Sequence, residues 1–220
     1  MAIEQPAFDI IKSLAPCRLL SLGYPDLLLN ETFDAPQVED AEAIAAWHGW
    51  KGPIYDTDAV LKSLGIDATY IDINRSRGCE VVYDLNEDIR WVAPKFDVVV
   101  DPGTIEHCFN IGMAMWNVRK LCVAGGHIIH GNPISMTNHG FYNLSPTFYL
   151  DWYQHHGDTI EYAAMLAGPV GKREVYEMPP TKRFSPPSNA VSLVVVKRGA
   201  AWAQGWPQQS KYKPTPDLKA

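Results

Sequence analysis

The stretch from Lys95 to His130, KFDVVVDPGTIEHCFNIGMAMWNVRKLCVAGGHIIH, constrains this chain more than any other, because it reads as a strand, a helix and a second strand in succession. Val98, Val99 and Val100 form a β-branched run with no polar alternation, which suits a strand covered on both faces, as in a parallel sheet. Asp101, Pro102 and Gly103 stop it. Open α/β sheets bind ligands at the carboxyl ends of their strands, so Asp101, Glu106 and His107 fall where chemistry is expected.

The flanking sequence continues the alternation. Arg18 to Leu22 is a short strand closed by Gly23. Between residues 30 and 56 lies an acidic insertion punctuated by Pro and Gly, in which Ala41, Ile44, Ala45 and His48 fall at helical spacing. Asp56 to Leu64 reads as a helix stopped by Gly65, Ala68 to Ile73 as a strand carrying Asp72, and Glu80 to Tyr83 as a strand ending at Asp84. After His127 to His130, YNLSPTFYLDWYQHHG has Pro146 near a helix start and Gly157 beyond its end. Ile160 to Leu166 and Ala190 to Val196 complete the set as a terminal hairpin of strands. The expected fold is α/β, a mostly parallel Rossmann-like sheet with helices on both faces. Residues 201 to 220, with Trp202 and Trp206, read as an extended tail that could serve as an interaction arm for a protein partner or a second copy.

At 220 residues, one domain with one well-buried core is expected. A formal charge of -6 gives no electrostatic reason for a polyanion partner, so nucleic-acid binding is not expected. Cys17, Cys79, Cys108 and Cys122 show no paired spacing and read as reduced thiols. Glu4 and Asp9 stand where a signal peptide would be basic and then apolar, and no apolar run approaches the roughly 20 residues that span a bilayer. A cytoplasmic protein with no membrane partner is expected.

Acids closing the second, third and fourth strands and a Gly-Gly turn before the fifth make this order resemble the class I S-adenosylmethionine-dependent methyltransferases. The resemblance covers roughly residues 15 to 198, and FDVVVDPGTIEHCFN, LCVAGGHIIHGNP and NHGFYNLSP carry it best. The last two are similar to a bacterial branch that modifies glycans or small metabolites. The resemblance implies a seven-stranded sheet with its last strand antiparallel and S-adenosylmethionine as cofactor. It implies Gly23 in the loop against the cofactor's methionine part, Asp72 on the ribose hydroxyls, Asp84 and Leu85 at adenine, and Asp101 and Gly103 along the amino-acid or methyl end. The first loop departs from the family pattern. It runs Ser21, Leu22, Gly23, Tyr24, Pro25, Asp26, without the usual acid two residues before the glycine and without further glycines.

His107 is a candidate general base because imidazole titrates near neutral pH, and on a helix the adjacent Glu106 would point elsewhere. His139 is a second candidate, in a loop whose Gly140 and Phe141 suit a substrate lid. Glu106 and Tyr142 are assigned to the acceptor. His127 and His130 fall on opposite faces of a strand and cannot share a metal, so no metal site is expected. His155 and His156 read as surface residues at a helix end, and Phe148, Tyr149, Trp152 and Tyr153 as a helix face packed on the sheet. The expected activity is methyl transfer to a hydroxyl or similar nucleophile of a small molecule, a sugar for instance. The alternatives are a non-catalytic binding or assembly protein that keeps the fold without the cofactor, or an enzyme using another nucleotide at the same place.

Overall fold

The computed structural model describes residues 1–90, 96–179, 181–201 and 203–212. Lys95, Trp202 and the end of the tail, 213–220, lie outside the described residues. In chain order the elements are β1 (Ala2–Glu4), α1 (Gln5–Ser13), β2 (Arg18–Leu22), β3 (Asp26–Leu28), α2 (Ala41–His48), α3 (Thr57–Ser63), β4 (Asp67–Asp72), β5 (Val81–Val82), β6 (Phe96–Asp101), α4 (Ile111–Leu121), β7 (Cys122–His130), α5 (Pro146–His155), β8 (Thr159–Ala167), β9 (Glu174–Glu177) and β10 (Val191–Lys197). Single 3-10 turns occupy Ile105–His107 and Ser210–Tyr212.

The main sheet has eight strands in the order β5-β4-β2-β6-β7-β10-β8-β9. The pairs from β5 across to β7 are parallel, and β10 runs antiparallel to both β7 and β8. This is the mostly parallel α/β sheet with an antiparallel last strand that the alternation of elements implies. The expected seven strands gain an eighth, because the exposed β9 pairs along β8 at the edge. Strand order reverses direction around β2 and β6, the place where the carboxyl ends of an open sheet leave a crevice.

The Val98–Val100 run is buried as its composition implies, and its pleat divides it between two cores. Val99 joins Ile128 and Val194 against Met115, Val118, Trp152 and Tyr153 of α4 and α5. Val98 and Val100 face Phe8, Ile11, Val60 and Leu61 of α1 and α3. Burying each such side chain contributes about 1.5–3 kcal/mol, so both helical layers are fixed on the strand that delivers Asp101. β7 starts at Cys122, five residues before the strand read from HIIH, and its register against β6 shifts across Gly125 and Gly126. A Cβ at Gly126 would come 2.6 Å from the Asp97 carbonyl, which only glycine avoids.

The unusual first loop has a physical account. After Gly23 the chain does not enter a helix but forms β3, which pairs in parallel with β1. Tyr24 is buried, and its hydroxyl donates to Asp56 Oδ2 at 2.9 Å and accepts from the Asp58 amide at 3.1 Å, securing the start of α3. Asp26 is bonded to His48 at 3.0 Å and Arg77 at 2.8 Å, which ties the insertion to the sheet's carboxyl edge.

Two expectations about the second half change. His156 is fully buried, edge-on to Trp152 at 4.6 Å and to Trp116 at 5.8 Å, because α5 turns inward at its end. Beside it the buried Arg119 guanidinium donates to Asp158 at 2.6 and 2.9 Å and to the carbonyls of His156 and Ala201. The described part of the tail does not stand away from the body. Trp206 lies 6.0 Å from Trp152 and 6.3 Å from Trp116, and the Ser210 amide donates to Asp151. Among the described residues no helix is long and apolar enough to cross a membrane.

Candidate active site

A cavity of about 320 Å³ opens at the carboxyl ends of β4 and β5, within the size range of small-molecule sites. Asp72, Asp84, Leu85, Gly103 and His107 line it, with Ile71, Ile73, Tyr83 and Cys108 adding apolar wall. Asp72 Oδ1 accepts from the Asn74 amide at 3.1 Å. Its Oδ2 faces Gly23, whose φ of +88° is a conformation that side chains rarely adopt. Asp84 folds onto its own turn, accepting from the amide and side chain of Asn86 at 2.9 and 2.7 Å. Asn117 of α4 fixes that loop, donating to the carbonyls of Leu85 and Glu87 and accepting from the Ile89 amide. Burial pushes the Cys108 thiol up to about 12, so it serves as apolar wall and not as a nucleophile. The cavity thus combines two carboxylates with an apolar wall and Gly103. Gly23 stands behind this wall, beside Asp72.

Asp101, expected along the methyl end, is bonded within the fold. Its carboxylate is fully buried and stands outside the residues that line this cavity. Oδ1 accepts from the amides of Thr104 and Ile105 at 2.9 and 3.3 Å, and Oδ2 from Asn132 Nδ2 at 2.8 Å, with His130 Nδ1 at the same distance. The acid at the strand end therefore organises the turn that follows it. Asn132, which sequence reasoning missed, is the hub of this network. Its Nδ2 also donates to Glu106 Oε2 at 3.0 Å, and its Oδ1 accepts from the Tyr149 hydroxyl at 2.7 Å. His130 Nε2 meets the Tyr153 hydroxyl at 2.5 Å, so the aromatic face of α5 packs on the sheet as expected while its two hydroxyls enter the network. The signal for Asn132 was its place directly after β7, in the GNP loop.

The turn so held brings three groups together. Glu106 is fully buried, yet its Oε1 lies 3.9 Å from His107 Nε2 and 3.5 Å from His139 Nε2. Glu106 and His107, expected to diverge, lie on a single 3-10 turn with Glu106 Oε1 and His107 Nε2 near each other. His139 is delivered from the other side. Asn138 takes a left-handed φ of 62°, and Gly140 lies so close that a Cβ would come 2.9 Å from the Glu106 carbonyl. The Phe141 amide donates to that carbonyl at 2.9 Å. Burial first and the Asp101 charge second push the Glu106 carboxyl up to about 8. Burial, then the neighbouring His139, lowers the His107 imidazole.

Glu106, His107 and His139 open into a second cavity of about 470 Å³, also lined by Trp47, His48 and Arg173. Residues of the insertion thus wall this cavity. The Tyr142 hydroxyl donates to the Phe109 carbonyl at 2.8 Å, and Tyr142 is not among the residues that line either cavity.

No family model and no curated protein matches the sequence. Solved structures do. The CurJ carbon methyltransferase is 13% identical at a TM-score of 0.50, over 87% of this chain and 52% of that one. The 1,6-didemethyltoxoflavin-N1-methyltransferase of Burkholderia thailandensis, solved with 1,6-didemethyltoxoflavin and S-adenosylhomocysteine, is 13% identical at 0.49, over 89% of this chain and 77% of that one. TehB from Haemophilus influenzae is 13% identical at 0.47, over 87% of this chain, which spans 60% of the TehB chain. Strand order and the likeness to the CurJ structure are consistent with the Rossmann-like fold of class I S-adenosylmethionine-dependent methyltransferases.

Proposed function

We propose that this chain is an S-adenosylmethionine-dependent methyltransferase acting on a hydroxyl or similar nucleophile of a small molecule, with sugars among the acceptors to try first. One observation carries the reading: the two cavities are neighbours, with Met1, Gly103 and His107 lining both. A cofactor in the first and an acceptor in the second would face each other across those three residues. Asp72 would hold the ribose, Leu85 and Tyr83 the base, and Gly103 would admit the reacting end.

When bound, S-adenosylmethionine supplies a methyl group on a sulfonium that is already a good leaving group. Much of the remaining task is to place and orient the acceptor. The insertion contributes Trp47 and His48 to the acceptor cavity, and Arg173, held by Glu4 at 2.9 Å, brings a guanidinium to its far wall. His107 and His139 are the groups set to act on the acceptor's proton. Their half-exposed rings lie 5.3 Å apart at the cavity wall.

The test uses methyl-labelled S-adenosylmethionine with a set of hydroxylated small molecules, and reads label on the acceptor. Acceptor-dependent labelling that falls at least about 10² in His107→Gln or His139→Gln, with cofactor binding kept, supports the assignment. Labelling equal in wild type and variants removes the histidines from it. A protein that takes up no S-adenosylmethionine is not this enzyme.

A further inference from the structure

Glu106, His107 and His139 have a property that the methyl-transfer reading does not use. One carboxylate oxygen and one ring nitrogen from each histidine lie within 4.8 Å of one another, at the wall of the acceptor cavity. Two ligands about 2.1 Å from a tetrahedral ion lie about 3.4 Å apart, so these atoms need only close slightly around a common centre. The rings can make that movement, being 48% and 41% exposed, while the carboxylate is fixed.

An independent observation points to a ligand. Glu106 is wholly buried, and its Oε2 is satisfied by Asn132, but its Oε1 has no hydrogen-bond partner among the described residues. A buried carboxyl oxygen without a partner is costly unless a proton or a cation compensates it. Here the unpaired oxygen is the one turned toward the two imidazoles. Asn132 then occupies the place of a group that orients a metal-bound carboxylate from behind, and it is itself oriented by Tyr149.

We propose that Glu106, His107 and His139 bind one divalent first-row transition-metal ion. Two imidazoles and one carboxylate suit zinc, iron(II) or cobalt(II) better than magnesium or calcium, which favour all-oxygen sites. Three protein ligands leave coordination positions open toward the acceptor cavity, as catalytic sites require. The site stands on its own geometry. Its role rests on the methyl-transfer reading: an ion here lowers the pKa of a bound hydroxyl, so the histidines would act on the acceptor as ligands of the ion.

The experiment is titration of the tag-free, chelator-treated chain with zinc(II) by calorimetry and with cobalt(II) by visible absorption. The expected result is one ion per chain and a cobalt spectrum of low coordination number. Affinity should fall at least about tenfold in His139→Ala and in Glu106→Gln. His139 is on a surface loop, so its variant keeps the proposal testable even if Glu106→Gln fails to fold. No binding of either ion at millimolar concentration overturns the site, as does binding that both variants leave unchanged. S-adenosylhomocysteine titrated into the metal-free chain separates the readings. Metal binding without it retains the site and discards methyl transfer, and the reverse discards only the site.

Discussion

Asp101 and His130 are register partners on adjacent parallel strands, and their side chains meet at 2.8 Å in a fully buried pair. The same carboxylate closes the turn that presents Glu106 and His107. Asp101→Ala strips partners from His130, Asn132 and two amides at once. It should destabilise the fold by about 3 kcal/mol or more, measured by urea unfolding, and an effect under about 1 kcal/mol would contradict the role given to the network.

Gly103 adopts a φ of +96°, and a Cβ there would come 3.2 Å from Glu106 Oε1 and 3.4 Å from the Gly131 carbonyl. Gly103→Ala should cost about 1–2 kcal/mol in stability and crowd the wall that both cavities share. The acceptor KM should rise more than the cofactor Kd. Equal changes in both would contradict the place given to Gly103 between acceptor and cofactor.

His156 couples stability to acid. Burial, then the Arg119 charge, lowers its imidazole from 6.5 to about 4. Between those values the unfolded chain takes up a proton that the folded chain refuses. This contribution is therefore complete above pH 6.5, declines as pH falls toward 4, and changes no further below it. The full loss is of the order of 3 kcal/mol at about 1.4 kcal/mol per unit. Thermal unfolding from pH 7 to pH 4 should show a smaller fall for His156→Gln than for wild type, and parallel curves would refute the assignment.

Arg119 and Asp158 form a fully buried ion pair. Asp158→Ala leaves the guanidinium without its carboxylate and should cost about 3–5 kcal/mol, whereas Arg119→Met with Asp158→Leu should recover part of that loss. Equilibrium unfolding of Arg119→Met, Asp158→Leu and their double variant yields the coupling, and additive losses would mean that the pair is not a unit.

Much of the framework was legible in the sequence. A β-branched run, the Gly-Gly turn and acids at strand ends have direct local causes, and they placed β2, β4, β6, β7, β8 and β10 to within a few residues. β1 and β3 were not legible, since each has three residues and is a strand only through the other. In the site, the positions of Asp72, Asp84, Leu85 and Gly103 around one cavity follow from strand order. How a carboxylate spends its oxygens does not, so the bonds of Asp101 to His130, Asn132 and two amides were not legible. Glu106, His107 and His139 converge through a 3-10 turn and a left-handed Asn138, neither of which leaves a periodic trace. Asn132 left only a positional signal, two residues past the end of β7, because one buried amide has no pattern, only partners.

The central claim is that the cavity at the ends of β4 and β5 holds the cofactor. Calorimetric titration with S-adenosylhomocysteine, on wild type and on Asp72→Ala, tests it most directly. The account predicts saturable binding of one ligand per chain, weakened at least about tenfold in the variant, which corresponds to about 1.4 kcal/mol. Absence of binding at millimolar ligand, or equal affinity in the two proteins, would contradict it.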